Sequence, residues 1–413
     1  MPERRAAERP ADTAQQRART MRAARDRLAL VFTPSRPLSG AGVQLREDDS
    51  AFIGRRAERD RIARALIEDR VHVLIHGERG LGKTSLANLA VARAQTEGYQ
   101  VLRHVCSAES DFDSILRALF QDLPRAFVAP AQPGAPPRRE PVSLPDFRLT
   151  PAEVVARLAG FRRLRLVFVV DEFDRVQEDA TRTAMADLIK QCSDGRLPLS
   201  LVLVGVSDDA EKLIGRHPSI QRCLARIALP LLADEEAAQI AARGEQAGLE
   251  VPAAVRATIA RLARGVPYMA QLLSLRAGQA ALDAGRTEIR GGDLVAAVDA
   301  AAVEADPRVQ LLYGAATEGE RDTAALAVLR AAASSPRDGF GNIHAIREGN
   351  GVLVGGMRAD AATWKRLIGR GALRPQPGAD PGLHAFGHAM LAAFVLHRAI
   401  LSRHRPANDD RAR

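Results

Sequence analysis

The sequence predicts an α/β protein: a parallel β-sheet covered by helices on both faces, then a small all-α lid domain, then a domain with winged-helix layout. Three observations predict this. From Phe52 to about residue 231, short wholly apolar runs alternate with stretches of helical spacing, and a strand with no polar side is one buried on both faces. After Ala233 such runs stop and four helical stretches follow one another. From about Gln310, helical segments flank a Pro- and Gly-rich stretch, PQPGADPG, suited to the turn of a two-stranded wing.

The bulk numbers agree with this division. A chain of 413 residues is too long for one compact core, so two or three domains are expected. Hydrophobic content of 46% and charged content of 26% are ordinary for a globular protein, and 4% aromatics leaves the cores to Leu, Val, Ile and Ala. No apolar run approaches the ~20 residues that span a bilayer, so no membrane partner is expected. The N-terminus lacks the apolar stretch of a secretory signal, and Glu3, Glu8, Asp12 and Asp26 interrupt what would otherwise resemble a transit peptide. The expected location is the cytoplasm. Cys106, Cys192 and Cys223 are scattered without metal-ligand spacing and read as reduced, mostly buried thiols. A net charge of +9 fits a nucleic-acid partner. Nearly all of that charge is Arg; the lysines are Lys83, Lys190, Lys212 and Lys365.

Taken in order, residues 1–50 read as a basic arm or helix ending in a Pro/Gly/Ser linker. The α/β core spans 51–232. It has helical spacing at 56–69, a buried strand at 71–75, a helix at 84–97, a strand at 99–105 and a helix at 111–120. Residues 126–147 are a Pro-rich surface insertion. A helix at 151–158, an apolar strand at 164–170, a helix at 181–191 and strands at 199–206 and 227–231 complete the core. Residues 234–246, 253–264, 268–284 and 292–302 form the helical domain, 233–305. Within 306–402 come a helix at 318–333, a short segment near 343–348, a helix at 359–369, the wing at 372–386 and a last helix at 390–402. Residues 403–413 read as a disordered tail, and no internal repeat is present.

One stretch carries chemistry outright. Gly77-Glu78-Arg79-Gly80-Leu81-Gly82-Lys83-Thr84, followed by Ser85, fits G-x-x-x-x-G-K-[ST] in full, with a buried strand before it and a helix after it. Such glycines let backbone N–H groups converge on phosphate oxygens, and the helix start adds its dipole. Lys83 is expected to reach the β- and γ-phosphates and the Thr84 hydroxyl to ligate Mg²⁺. The complementary acid should end a buried strand, and Leu166-Val167-Phe168-Val169-Val170-Asp171-Glu172 supplies it. Asp171 would hold the magnesium shell and Glu172 would polarise a water. A water-activating Glu argues for hydrolysis and against a small-molecule kinase. None of the four lysines lies in an Asn/Thr-Lys-x-Asp guanine signature, so ATP is the expected nucleotide.

These motifs in order resemble AAA+ and STAND-type P-loop ATPases, similar to origin-recognition and bacterial transposition-regulator ATPases. The resemblance implies a RecA-like/AAA+ P-loop core. Phe52-Ile53-Gly54-Arg55-Arg56-Ala57-Glu58 looks like the stretch that cradles adenine in those relatives. Ser207, closing the strand LVLVGVS, stands where the family places its γ-phosphate sensor; it is equally well placed to cap a helix before Asp208 and Asp209. Arg222, and next Arg226, stand where the family often places an arginine finger that acts on a neighbouring subunit, which implies ATP-dependent homo-oligomers. Gly265-Val266-Pro267 resembles the G-x-P motif whose segment packs on the nucleotide. Many relatives carry a sensor arginine at or near the next position; this chain has Tyr268 there and Arg276 two turns later.

Two outputs follow from the resemblance. One is a switch acting on or with duplex DNA in mobile-element, replication or defence regulation, with Lys365, Arg366 and Arg370 of the last domain contacting phosphates. The other is a signalling ATPase of anti-phage defence that activates a separately encoded effector protein. A remodelling motor is the weaker third reading, since no aromatic pore loop is evident.

Overall fold

The computed structural model describes residues 10–34, 52–123, 126–128, 138–140, 144–159, 165–207, 210–214, 220–376 and 380–404. They fall into two compact units. The core unit holds residues 55–229; the second unit holds the described residues before 55 and those from Pro230 onward. The first helix, α1 (Pro10–Val31), belongs to the second unit.

The core unit begins with α2 (Arg56–Arg64), which runs into a π-helical turn, Ala65–Asp69. Then follow β1 (His72–Gly77), α3 (Lys83–Thr96), β2 (Gln100–Val105) and α4 (Phe112–Gln121). Two short strands, β3 (Ala126–Val128) and β4 (Arg138–Glu140), pair antiparallel inside the Pro-rich insertion, a segment whose composition predicts loop. After α5 (Pro151–Leu158) come β5 (Leu166–Asp171), α6 (Asp179–Asp194), β6 (Leu199–Val206), α7 (Glu211–Ile214) and β7 (Leu224–Ala228). The main sheet has the order β2-β5-β6-β1-β7 and is parallel throughout. Its central strands are apolar on both faces because helices cover both. Phe168 and Phe120 meet edge to face at 5.9 Å within that core. The register sets Gly77 beside Val206 and Asp171 beside Val105, which aligns the carboxyl ends of four strands.

The last strand differs from the expected 227–231. The β1–β7 ladder starts at His72↔Leu224, and the amide of Leu229 closes it on the His76 carbonyl at 2.9 Å. Pro230 has no N–H to extend it. Arg226 therefore lies within this edge strand, and Arg222 lies in the turn before it.

The second unit contains α8 (Asp234–Ala242), α9 (Ala253–Ala263), α10 (Pro267–Asp283) and α11 (Gly291–Val303), matching the four expected helices. The N-terminal arm is part of this unit. Leu28 and Phe32 are buried there, and a Cβ on Gly278 of α10 would lie 2.8 Å from the Leu28 side chain. Arg25 of α1 pairs with Asp283.

The remainder is α12 (Pro307–Thr317), α13 (Thr323–Ser334), β8 (Ile343–Glu348), β9 (Gly351–Val354), β10 (Met357–Asp360), α14 (Ala361–Gly369), β11 (Leu373–Pro375), β12 (Leu383–Phe386) and α15 (Leu391–His404). The expected helix at 318–333 begins only at Thr323, and α12 ends before it with Glu318 in the left-handed region. The expected two-stranded wing, β11 and β12, forms one side of a five-stranded antiparallel sheet of order β10-β9-β8-β12-β11. The segment near 343–348 is a strand, and a three-stranded meander stands where the winged-helix reading has only a short connection. Its signal is the pair of two-residue turns at Gly349-Asn350 and Gly355-Gly356, where positive φ closes tight hairpins. No helix among the described residues is long and apolar enough to cross a membrane.

Each unit buries a neutral histidine. His72 on β1 accepts the Leu201 amide at Nδ1 (3.0 Å), and burial pulls its pKa down to about 4. His397 on α15 is fully buried and is likewise lowered to about 4. The unfolded chain protonates these rings near pH 6.5, before the folded one does, so stability is complete above that pH and is lost as the pH falls towards 4. Each contributes a loss of up to about 3 kcal/mol across that window. Thermal unfolding should therefore occur at a lower Tm at pH 5 than at pH 7.5, with part of the pH dependence removed in His397→Leu.

Candidate functional site

The site is built at the carboxyl ends of β1, β5 and β6. β1 is buried along its whole length and ends at Gly77, whose φ is 148°. A Cβ there would press on the Leu229 carbonyl at 3.2 Å, so only glycine lets the loop leave the strand at this angle. The loop from Glu78 to Gly82 delivers the chain to α3, which starts at Lys83 with Gly82 as N-cap. No side-chain hydrogen bond caps that N-terminus, the positive end of the helix dipole.

Lys83 is 8% exposed, and its Nζ donates to the Glu78 carbonyl at 2.8 Å. Burial pulls its pKa down to about 8, while the charges of Asp174, Glu78 and Asp171 oppose the fall. Thr84 hydrogen-bonds through its hydroxyl to the Asp171 carboxylate. Burial raises the pKa of Asp171; the bonds from Thr84 and from the Glu172 amide (2.8 Å) counter it. The fold thus joins the first turn of α3 to the end of β5, as the two motifs require. A hydroxyl beside a half-buried carboxylate is an oxygen donor set suited to a hard divalent cation.

Glu172 leaves the sheet in the left-handed region, at φ 52° and ψ 36°, a conformation that non-glycine residues adopt at some cost. Its carboxylate is half exposed and accepts from Arg175 at 2.8 Å, across the single 3₁₀ turn Phe173–Arg175. Cys106 lies buried beside this acidic end of β5. Burial, then the charges of Asp171, Asp174 and Glu172, push its thiol up to about 12. Ser207 follows β6 directly and is buried, with its carbonyl 3.4 Å from His76 Nδ1.

The other expected site residues are distributed between the units. Arg222 is exposed and Arg226 half-buried in the core unit, and the Arg226 carbonyl accepts from Arg61 at 3.3 Å. Arg55 is buried at the start of α2. Phe52, Ile53 and Gly54 belong to the second unit, as do Gly265 and Pro267. There the two motifs meet at Leu232: a Cβ on Gly54 would lie 3.2 Å from its side chain, and its amide donates to the Gly265 carbonyl at 2.8 Å. Arg276 is tied to Glu304 at 2.6 Å and to Gln279 at 2.8 Å. On α14, Lys365 is exposed, but Arg366 pairs with Asp322 at 2.8 Å, and Arg370, the helix's C-cap, pairs with Glu318 at 2.6 Å. Trp364 is core, edge to face with His384.

Two residues to which the sequence assigns no role stand in the site. Asp174 accepts the Val206 amide at 2.8 Å. Arg103 of β2 bonds Asn88 of α3 and feels the Asp171 charge. Each is visible in the sequence only as a detail without an assigned role: a third acid after Asp171-Glu172, and an arginine within the strand Gln100–Val105.

A glycine loop between a buried strand and a helix, facing an acid-terminated strand of a five-stranded parallel sheet, defines a P-loop protein of AAA+ fold. Residues 51–207 match the family described as AAA ATPase domain, so the chain carries an AAA+ ATPase-like domain there. None of the curated proteins compared matches the chain. Among solved structures, a Walker-type ATPase of Pyrococcus abyssi is similar at 15% identity, covering 84% of this chain and 97% of that one, with a TM-score of 0.49. The Aeropyrum pernix ORC2 protein, in ADPNP–ADP complexes, is 17% identical over 84% of this chain and 94% of that one, with a TM-score of 0.48. The Thermotoga maritima RuvB Holliday junction branch migration motor is 19% identical over 65% of this chain and 78% of that one, with a TM-score of 0.41.

Proposed function

We propose that this protein is an ATP-binding and ATP-hydrolysing molecular switch that assembles with itself when ATP is bound and acts on or with duplex DNA. The observation that carries the reading is the meeting of Thr84 with Asp171 beside the buried Lys83. In it, the loop Gly77–Gly82 and the start of α3 with Ser85 hold the phosphates, and Lys83 neutralises the β- and γ-oxygens. Thr84 and Asp171 would hold Mg²⁺, which supplies charge neutralisation on the phosphates when bound. Glu172 accepts a proton from water and orients it, Ser207 senses the γ-phosphate, and Arg222 or Arg226 reaches a neighbouring subunit's nucleotide. Phe52–Arg55 and Gly265–Pro267 pack on the nucleotide. Lys365 is the candidate DNA contact on α14 that makes no ion pair among the described residues.

The ion pairs of Arg366 and Arg370 favour a second reading. With both guanidiniums held by acids of the same unit, the surface around α14 has less charge to offer phosphates. A cytoplasmic signalling ATPase that activates a separate effector without touching DNA fits that observation.

Size-exclusion chromatography of Glu172→Gln protein with ATP, with and without duplex DNA, separates the two. The switch on DNA should give a larger species only or mainly when DNA is present, and binding that falls steeply with salt. Assembly with ATP that ignores DNA would move the protein to the effector reading. A monomer under every condition would remove the arginine finger from the scheme.

A further inference from the structure

We propose that Asp174 is a positioning residue that locks the carboxyl end of β6, and with it Ser207, to the turn that carries Glu172. The inference rests on the ATPase reading above and deepens it. The geometry comes from how two strands end. β5 and β6 pair as far as Val170↔Leu203, and β5 then leaves the sheet. β6 runs on to Val206 with β1 on its other side. The 3₁₀ turn Phe173–Arg175 takes the place that β5 has vacated, and Asp174 Oδ1 accepts the Val206 amide at 2.8 Å.

Close approach is built into the facing strand. A Cβ on Gly205 would lie 3.2 Å from the Asp174 amide nitrogen, so the turn seats against β6 where no side chain stands. The next residue after Val206 is Ser207, and Glu172 stands two residues before Asp174 in a left-handed conformation. One side chain thus ties the segment expected to sense the phosphate to the segment expected to prepare the water. A charge-assisted bond of this kind holds position more firmly than a neutral one. The Asp174 charge also acts on Lys83, so a neutral isostere is needed to tell the two roles apart.

The experiment compares Asp174→Ala and Asp174→Asn in the full chain. It measures amide hydrogen exchange at Val206 and Ser207, affinity for a fluorescent ATP analogue, and ATP turnover. Asp174→Ala should exchange the Val206 amide about tenfold faster or more, the effect of losing one hydrogen bond to a charged group. Its turnover should fall by about tenfold or more while nucleotide affinity changes less than about threefold, the pattern of a disrupted transition-state arrangement. Asp174→Asn keeps an acceptor and should retain both the protection and most of the turnover. Unchanged Val206 protection in Asp174→Ala would overturn the proposal, as would turnover in Asp174→Asn as low as in the alanine variant. If Asp174→Ala does not fold, the asparagine variant decides alone: loss of its protection or of its turnover overturns the proposal. A wild-type protein without ATP turnover would sink the ATPase reading, while the exchange measurements would still test the lock.

Discussion

Lys83→Ala is expected to weaken ATP binding by roughly 2–5 kcal/mol, about one and a half to three and a half orders of magnitude in Kd, with the chain still folded. Removing one partner of a buried charge pair leaves the other charge without compensation, and here that other charge would be phosphate. The ammonium is 8% exposed, so little water is at hand to take its place. Burial has already pulled its pKa down to about 8, yet the charges of Asp174, Glu78 and Asp171 keep it mostly protonated at neutral pH. In the folded chain its Nζ donates to the Glu78 carbonyl at the start of a helix, and the fold should survive without that bond. Titration of a fluorescent ATP analogue checks affinity and thermal unfolding checks the fold. Affinity within a few-fold of wild type would remove Lys83 from the phosphates.

Glu172→Gln is expected to bind ATP with near-native affinity and to turn it over about 10²–10⁴-fold more slowly, the usual range for loss of a general base. The substitution keeps size and shape and removes the charge. Glu172 makes no backbone cap and is half exposed, so the fold has little to lose. It does lose the Arg175 ion pair, which at this exposure stabilises the turn only slightly. Single-turnover ATP hydrolysis, set beside equilibrium binding, reads the two effects apart. Wild-type turnover in this variant would remove Glu172 from its role.

Much of this site is legible in the sequence because its parts are local. A glycine-loop motif carries its own geometry within eight residues, and an apolar run that ends in acids declares where a buried strand stops. The helical stretches from 234 to 302 are equally legible, since their spacing repeats over three or more turns. Legibility fails where identity depends on a distant partner. Residues 343–360 are three strands of four to six residues, too short for period-two spacing to outweigh noise, and their hairpins are signalled mainly by Gly349-Asn350 and Gly355-Gly356. The basic arm looks free in the sequence because the docking of Leu28 against Gly278 joins residues far apart in the chain. Arg366 and Arg370 look available because the acids that hold them, Asp322 and Glu318, come from the chain before the preceding helix and not from α14 itself.

The sequence by itself determined the phosphate loop, the acid-terminated strand and the alternation that makes a parallel sheet. Each of these follows from side-chain period and backbone sterics within a few turns of chain. Only the tertiary structure decided that Thr84 meets Asp171 and that Asp174 holds Val206. It also decided that Gly54 and Gly265 meet at Leu232, and that two of three candidate DNA-contacting cations are already paired. The physical reason is the order of the sheet. Strands adjacent in space are distant in sequence, and which carboxylate faces which donor is set by that order and register.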